Sequence, residues 1–178
     1  MKDFLFNVVE HFVTAALSAD AWDDAINNAA VSVASTSLGD YPDDDWTRIV
    51  RAVADVAGLS EDETLRFLGR AGFPHLVRRF PKSLHQSSVW RMVLESLDNF
   101  IHPDIFKVYP NADVPRFESF PDGKALLFTY TSERCLCMLA DGMVLGRGDW
   151  FKVDLSVEHL SSLHRGDDSC TMRVVEAG

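Results

Sequence analysis

One histidine of this sequence lies where an imidazole could bind a metal cofactor. His102 follows a strongly apolar stretch and precedes the segment Pro103-Asp104-Ile105. A neutral imidazole is the commonest protein ligand of heme iron, and these neighbours suit a large, flat, apolar ligand. The same features also fit a half-buried histidine at a helix terminus, where the helix dipole favours the cation. His102 by itself therefore leaves both interpretations open.

A second group of polar residues follows about thirty positions later. Tyr130, Ser132 and Arg134 occupy positions i, i+2 and i+4, which on an extended segment point to one face. Two hydroxyl groups and a guanidinium suit carboxylates, and heme carries two propionates. Read locally, Ser132 could equally be a helix N-cap and Arg134 a surface residue.

The elements that would position these residues are helical in the first part of the chain. Ser60, followed by Glu-Asp-Glu, matches a capping box, and Gly58 would end the preceding helix. Pro103 disfavours helix in the residue before it. Residues 29–43 are predicted to form a loop. Apolar spacing predicts helices over residues 2–18, from Asp20, from Asp44 or Asp45 to Ala57, from Ser60 to about Gly72, and from about Ser83 to His102.

The pattern changes in the second part of the chain, where alternation predicts strands. Strands are expected over residues 115–120, 124–131, 152–160 and 169–176, with a Pro-Asp-Gly turn in the first hairpin and a helix over 132–147. The predicted fold is α+β: an N-terminal helical subdomain, then a small antiparallel sheet with one long helix. Residues 103–114 would be the hinge between the two parts.

Composition limits the classes of function. The chain has 178 residues, 47 % of them hydrophobic, and a formal net charge of −10, so we expect one domain that binds neither nucleic acid nor membrane.

An N-terminus without a signal-peptide layout predicts a cytoplasmic protein. Three cysteines argue against a disulfide framework. The sequence shows no catalytic triad, phosphate-binding glycine loop or metalloprotease motif, and we expect no enzymatic activity.

Taken together, the histidine and the Tyr-x-Ser-x-Arg triplet resemble the signature of the bacterial H-NOX (heme nitric oxide/oxygen binding) family. The resemblance covers about residues 1–176. It includes the opening MKDFLFNVVEHFV, the tryptophan in DAWDDAI, the segment HPDIFKVYP and the final strands. It implies a single domain over residues 1–178, with a distal helical part over 1–60, a proximal part with the sheet over 61–178, and heme b between them.

The resemblance also implies roles for individual residues. His102 would be the proximal iron ligand, Tyr130, Ser132 and Arg134 would hold the propionates, and Pro115 would press on the porphyrin. The distal side would be lined by Leu5, Val9, Leu139 and residues 71–73. Oxygen-binding members carry a distal tyrosine where this chain has Leu139. Without that hydrogen-bond donor, we expect the heme to bind nitric oxide and carbon monoxide but bind oxygen poorly.

The function that this resemblance implies is gas sensing. Nitric oxide would bind the ferrous iron and break its bond to His102, and a separate protein would detect the resulting shift. A histidine kinase or a cyclic-di-GMP enzyme is the expected partner, because the chain ends at Gly178 without an output domain.

Some members of the family also carry a structural zinc, and three of its four ligands would match Cys137, His159 and Cys170. The fourth position is Ser162, a poor zinc ligand, so we expect weak zinc binding at most. The alternative is that Cys137 and Cys170 are buried apolar residues.

Two other classes of function stay open at this stage. A heme-free small-molecule or zinc-binding scaffold would resemble 4-vinyl reductase-type domains, which the Gly-Asp-Asp-Ser-Cys turn also matches. An absorption spectrum separates that class from a heme protein. A heme peroxidase would need a distal histidine or arginine, and none stands out.

Overall fold

The structure is a computed structural model that describes residues 3–31, 42–79, 90–95, 102–108, 110 and 113–177. The helices are α1 (Asp3–Ala16), α2 (Ala19–Ala29), α3 (Asp43–Ala57), α4 (Glu61–Arg79), α5 (Trp90–Leu94), α6 (His102–Val108) and α7 (Cys137–Phe151). The strands are β1 (Arg116–Asp122), β2 (Ala125–Thr131), β3 (Leu155–Ser161) and β4 (Cys170–Glu176). The predicted loop over 29–43 lies mostly outside the described residues.

Local capping signals account for several helix ends. The capping box is confirmed, because the Ser60 amide donates to Glu63 Oε2 (2.9 Å) and the Glu63 amide donates to Ser60 Oγ (3.2 Å). Gly58 ends α3 with φ 67°, as predicted. The N-cap of α2 is Ser18, whose hydroxyl accepts a hydrogen bond from the Ala21 amide at 3.0 Å. The prediction that this helix starts at Asp20 was therefore wrong.

Helix α4 passes through Pro74 and continues to Arg79, which makes the predicted end near Gly72 wrong. A proline inside a helix removes one hydrogen bond and costs about 3 kcal/mol or more. The helix tolerates this cost because it packs along α7 over most of its length. Tertiary packing therefore overrides the local signal.

Three glycines allow α4 and α7 to pack backbone against backbone. A Cβ atom on Gly69 would overlap the Leu139 carbonyl, and one on Gly142 would overlap the Arg66 carbonyl. A Cβ atom on Gly146 would overlap the carbonyl of Arg70, the group that Pro74 leaves without its helical donor. Side chains larger than hydrogen are excluded at this crossing.

The region around His102 differs from its prediction. Of the long helix predicted from about Ser83 to His102, the structure describes only His102 and the part that contains α5. Residues 80–89 and 96–101 lie outside the described part. His102 lies in α6, and the helix continues through Pro103 to Val108, so the prediction that a helix ends at His102 was wrong. The predicted hinge over 103–114 therefore contains a helix.

The sheet is antiparallel with strand order β1-β2-β4-β3. Gly123 (φ 57°) provides the turn of the first hairpin, as predicted. Helix α7 begins at Cys137 rather than at residue 132, because Ser132–Leu136 form a turn after β2.

Two apolar clusters form the interior. The first joins α1, α2, α3 and α4 and includes Leu139 of α7; the second joins the sheet, α5 and α7. The α+β prediction is confirmed. Across the described ranges, no helix is both long and apolar enough to cross a bilayer.

Candidate functional site

The side chain of His102 is buried, with 7 % exposure, against a layer of aromatic rings. Its ring centroid lies 5.7 Å from that of Phe117, with an interplanar angle of 30°. Phe117 in turn stacks on Phe128 at 5.0 Å and 12°. Helix α6 therefore presents an imidazole to apolar surroundings provided by β1 and β2.

Tyr130 and Ser132 lie together at the end of β2. The buried Tyr130 hydroxyl accepts the Leu136 amide at 3.1 Å and is hydrogen-bonded to the Ser132 side chain. Burial raises the pKa of Tyr130, and the hydrogen bonds to Ser132 and Leu136 oppose this only in part. At neutral pH the phenol is therefore protonated and can act as a donor.

Arg134 does not continue the extended segment, so the prediction of one extended face through all three residues was wrong. Its amide donates to Ser132 Oγ at 3.3 Å, and the chain turns there. The guanidinium holds carboxylates instead: Nε donates to Asp43 Oδ2 (2.8 Å), and Nη2 lies 3.3 Å from Asp113 Oδ2. A third bond joins Nη1 to the Asp113 carbonyl. The position therefore suits negatively charged carboxylates, as its residue type predicted.

The residues predicted for the distal side lie mainly in the helical cluster. Val9 and Leu139 are both buried in it. The side chain of Leu5 lies outside the described part. Phe73 of α4 is buried as well, and Pro115 is half-buried immediately before β1.

The three predicted zinc ligands do not form a common site in the described part of the chain. Cys137 and Cys170 form a disulfide, with Cα atoms 6.2 Å apart, a normal separation for such a bond. The number of cysteines did not predict this bond. The alternative interpretation of Cys137 and Cys170 as buried apolar residues is confirmed for their burial, because both lie fully buried in the second apolar cluster. His159 Nε2 instead lies 2.9 Å from Asp141 Oδ2. Within the described ranges, no three metal-binding side chains form a cluster.

A buried carboxylate that the sequence did not predict joins three elements. Asp141 of α7 is fully buried, and its Oδ2 also accepts Arg66 Nη2 of α4 at 2.7 Å. Among the described residues its Oδ1 has no hydrogen-bond partner. The available signal was one charged residue within the apolar run of the helix predicted over 132–147.

A buried arginine ties α7 to α5. Arg147 Nε donates to the Trp90 carbonyl at 3.2 Å, and its guanidinium lies 4.0 Å from the centroid of Phe151. Burial lowers the pKa of Arg147 to about 10, so the side chain is charged at neutral pH.

The donor set fits a heme group. One buried imidazole could bind the iron, and Tyr130, Ser132 and Arg134 offer hydroxyl and guanidinium donors that could hold two carboxylates. Val9 and Leu139 add apolar surface in the helical part.

Comparison with known proteins agrees with this chemistry. A family model described as "Haem-NO-binding" matches residues 2–159. A crystal structure of an H-NOX protein from S. oneidensis in the Fe(II)NO ligation state is similar, with 22 % identity, full coverage of both chains and a TM-score of 0.93.

Two further solved structures have the same fold. An NMR structure of an H-NOX domain from Shewanella oneidensis in the Fe(II)CO ligation state has 22 % identity, covers 100 % of this chain and 99 % of its own, and gives a TM-score of 0.89. The Fe(II) unliganded H-NOX protein from K. algicida has 19 % identity, coverage of 100 % and 97 %, and a TM-score of 0.85. No curated protein sequence matches significantly.

Proposed function

The chain belongs to the H-NOX family of heme-based gas sensors, and from this membership we propose that it binds one heme b through His102 and senses nitric oxide. The observation that carries the proposal is the buried His102 imidazole, set against an aromatic layer that also contacts Tyr130 of the carboxylate-binding triplet.

Each part of the heme has proposed contacts with named residues. His102 would bind the iron, and Tyr130, Ser132 and Arg134 would hold the propionates. A propionate would replace the carboxylate of Asp43 or Asp113 as the partner of Arg134. The guanidinium would still face one negative charge. Pro115 would lie against the porphyrin. When bound, ferrous heme supplies an iron centre for diatomic gases.

The proposed distal side disfavours oxygen because it offers no hydrogen bond to the bound gas. Val9 and Leu139 carry no side-chain donor, and the low local dielectric would make such a donor strongly favourable to bound oxygen. Nitric oxide and carbon monoxide gain little from a donor, so these two gases are the proposed ligands. The ligation states of the S. oneidensis structures support this choice.

The proposed output is movement of α6 after His102 is released. This helix precedes β1 in the chain and contains His102. A separate cytoplasmic protein, a histidine kinase or a cyclic-di-GMP enzyme, would detect the movement, and the chain itself would catalyse no reaction. The division into a distal part (1–60) and a proximal part (61–178) belongs to the same proposal.

The deciding experiment is an absorption spectrum of protein expressed with heme available, before and after nitric oxide is added. We expect a Soret band that shifts on addition. Protein that stays colourless in the presence of excess heme would refute the proposal.

Replacing Arg134 by alanine should weaken heme retention without abolishing it. Charge-assisted hydrogen bonds contribute about 1.5–3 kcal/mol, and the porphyrin contacts stay in place. We expect heme transfer to apomyoglobin to become roughly tenfold faster, the lower end of that range, because Asp43 and Asp113 compete for the guanidinium. Arg116→Ala is the matched control, since that exposed side chain pairs with Glu118. Equal transfer rates in the two variants would contradict the assignment.

Replacing Leu139 by tyrosine should raise oxygen affinity. A hydroxyl in this buried environment could donate to bound oxygen, an interaction equivalent to roughly 10- to 100-fold in affinity. Oxygen titration of the reduced protein measures the change, and Leu139→Phe controls for ring size without the donor. If both variants bind oxygen equally, Leu139 is not a distal residue.

A further inference from the structure

We propose that Phe117 is a positioning residue for His102, and that its ring holds the imidazole in the orientation needed for iron binding. The inference rests on the proposed function, because it concerns the strength of the bond between His102 and iron. The residue has no role in the Tyr-x-Ser-x-Arg triplet and lies on a different strand, β1.

The first argument is the order of the ring stack. Phe117 lies between His102 of α6 and Phe128 of β2, with centroid distances of 5.7 and 5.0 Å. The interplanar angles are 30° and 12°, so the three rings are close to parallel. A flat ring on one side of an imidazole limits rotation of the imidazole about its Cβ–Cγ bond.

The second argument is that Phe117 is itself firmly placed. It pairs with Tyr130 in the register of β1 and β2, and the two ring centroids lie 5.7 Å apart. Its neighbours Arg116 and Glu118 point to the exposed side of the strand. Phe128 beneath it is 1 % exposed. The sheet therefore fixes Phe117, and Phe117 contacts both the proposed iron ligand and a proposed propionate ligand.

The third argument is energetic. Stacked aromatic pairs change equilibria by roughly two- to tenfold beyond what buried area alone gives. An imidazole that loses this contact samples more orientations, and fewer of them are suitable for the iron. The bond to His102 then weakens, although the ligand itself is unchanged.

The test compares three variants of the heme-loaded protein. Phe117→Leu removes the ring but keeps apolar volume, and Phe117→Tyr restores the ring. Phe120→Leu is the matched control, because Phe120 lies on the same strand with 55 % exposure. Two properties are measured: the iron–histidine stretching band in the ferrous, gas-free protein by resonance Raman, and the rate of heme transfer to apomyoglobin.

We expect Phe117→Leu to lower or broaden the stretching band and to accelerate heme transfer roughly two- to tenfold. Phe117→Tyr and Phe120→Leu should match the unmodified protein. A stretching band in Phe117→Leu identical to that of the unmodified protein would overturn the inference while leaving the proposed function intact. Failure of the unmodified protein to bind heme would overturn both.

Discussion

A His102→Gly variant should be purified almost without heme. The imidazole is the proposed covalent link to the iron, and it lies buried in α6, where glycine would leave a cavity in its place. Loss of groups that merely orient a metal ligand typically costs 10- to 100-fold in affinity, so loss of the ligand itself should cost more than about 100-fold. The ratio of Soret to protein absorbance measures occupancy.

Imidazole added during expression should restore the Soret band, because the cavity admits the missing ring. His164→Gly is the control: His164 is exposed and its Nε2 lies 2.8 Å from the Cys135 carbonyl. Normal heme content and an unchanged spectrum in the His102 variant would contradict the assignment of the ligand.

The second large effect is an expected loss of folding stability in Gly142→Ala, at the crossing of α4 and α7. At a solvent-facing helical position this substitution stabilises by up to about 1 kcal/mol, because alanine has the higher helix propensity. Here the added methyl would overlap the Arg66 carbonyl and come within 2.8 Å of the Arg70 amide nitrogen. Overpacking costs about 1–3 kcal/mol, and more when the obstacle is backbone. We expect a lower free energy of unfolding, measured by urea titration.

Thr47→Ala on the exposed face of α3 gives the comparison, with an expected change within about 0.5 kcal/mol. Gly146→Ala should resemble Gly142→Ala, because its Cβ would overlap the Arg70 carbonyl. A stabilised Gly142→Ala variant would show that the two helices separate readily.

The elements predicted correctly from sequence are those fixed by neighbours in the chain. Ser60 and Glu63 form their capping box within one helical turn, and Gly123 provides its turn within one hairpin. The order of helices and strands follows from such signals and from apolar spacing. The residues of the candidate site were assigned through their resemblance to the H-NOX signature, and their roles in heme binding stay predictions.

The errors arise where contacts between distant segments decide the outcome. Pro74 signals a helix end, but packing against α7 keeps α4 intact. Arg134 is turned towards Asp43, which lies 91 positions earlier in the chain. The contact between Phe117 and His102 depends on how β1 faces α6, and this cannot be read from either segment alone.

The glycine crossing has a mechanical consequence for the proposed signalling. At Gly69, Gly142 and Gly146 the backbones of α4 and α7 lie directly against each other, so no side chain at these three positions can change rotamer to absorb a displacement. Yet α4 contributes to the helical cluster and α7 to both clusters. We therefore expect a displacement of one helix at this crossing to be passed directly to the other. Bending is easiest at Pro74, the point along α4 where the hydrogen-bond ladder is already interrupted.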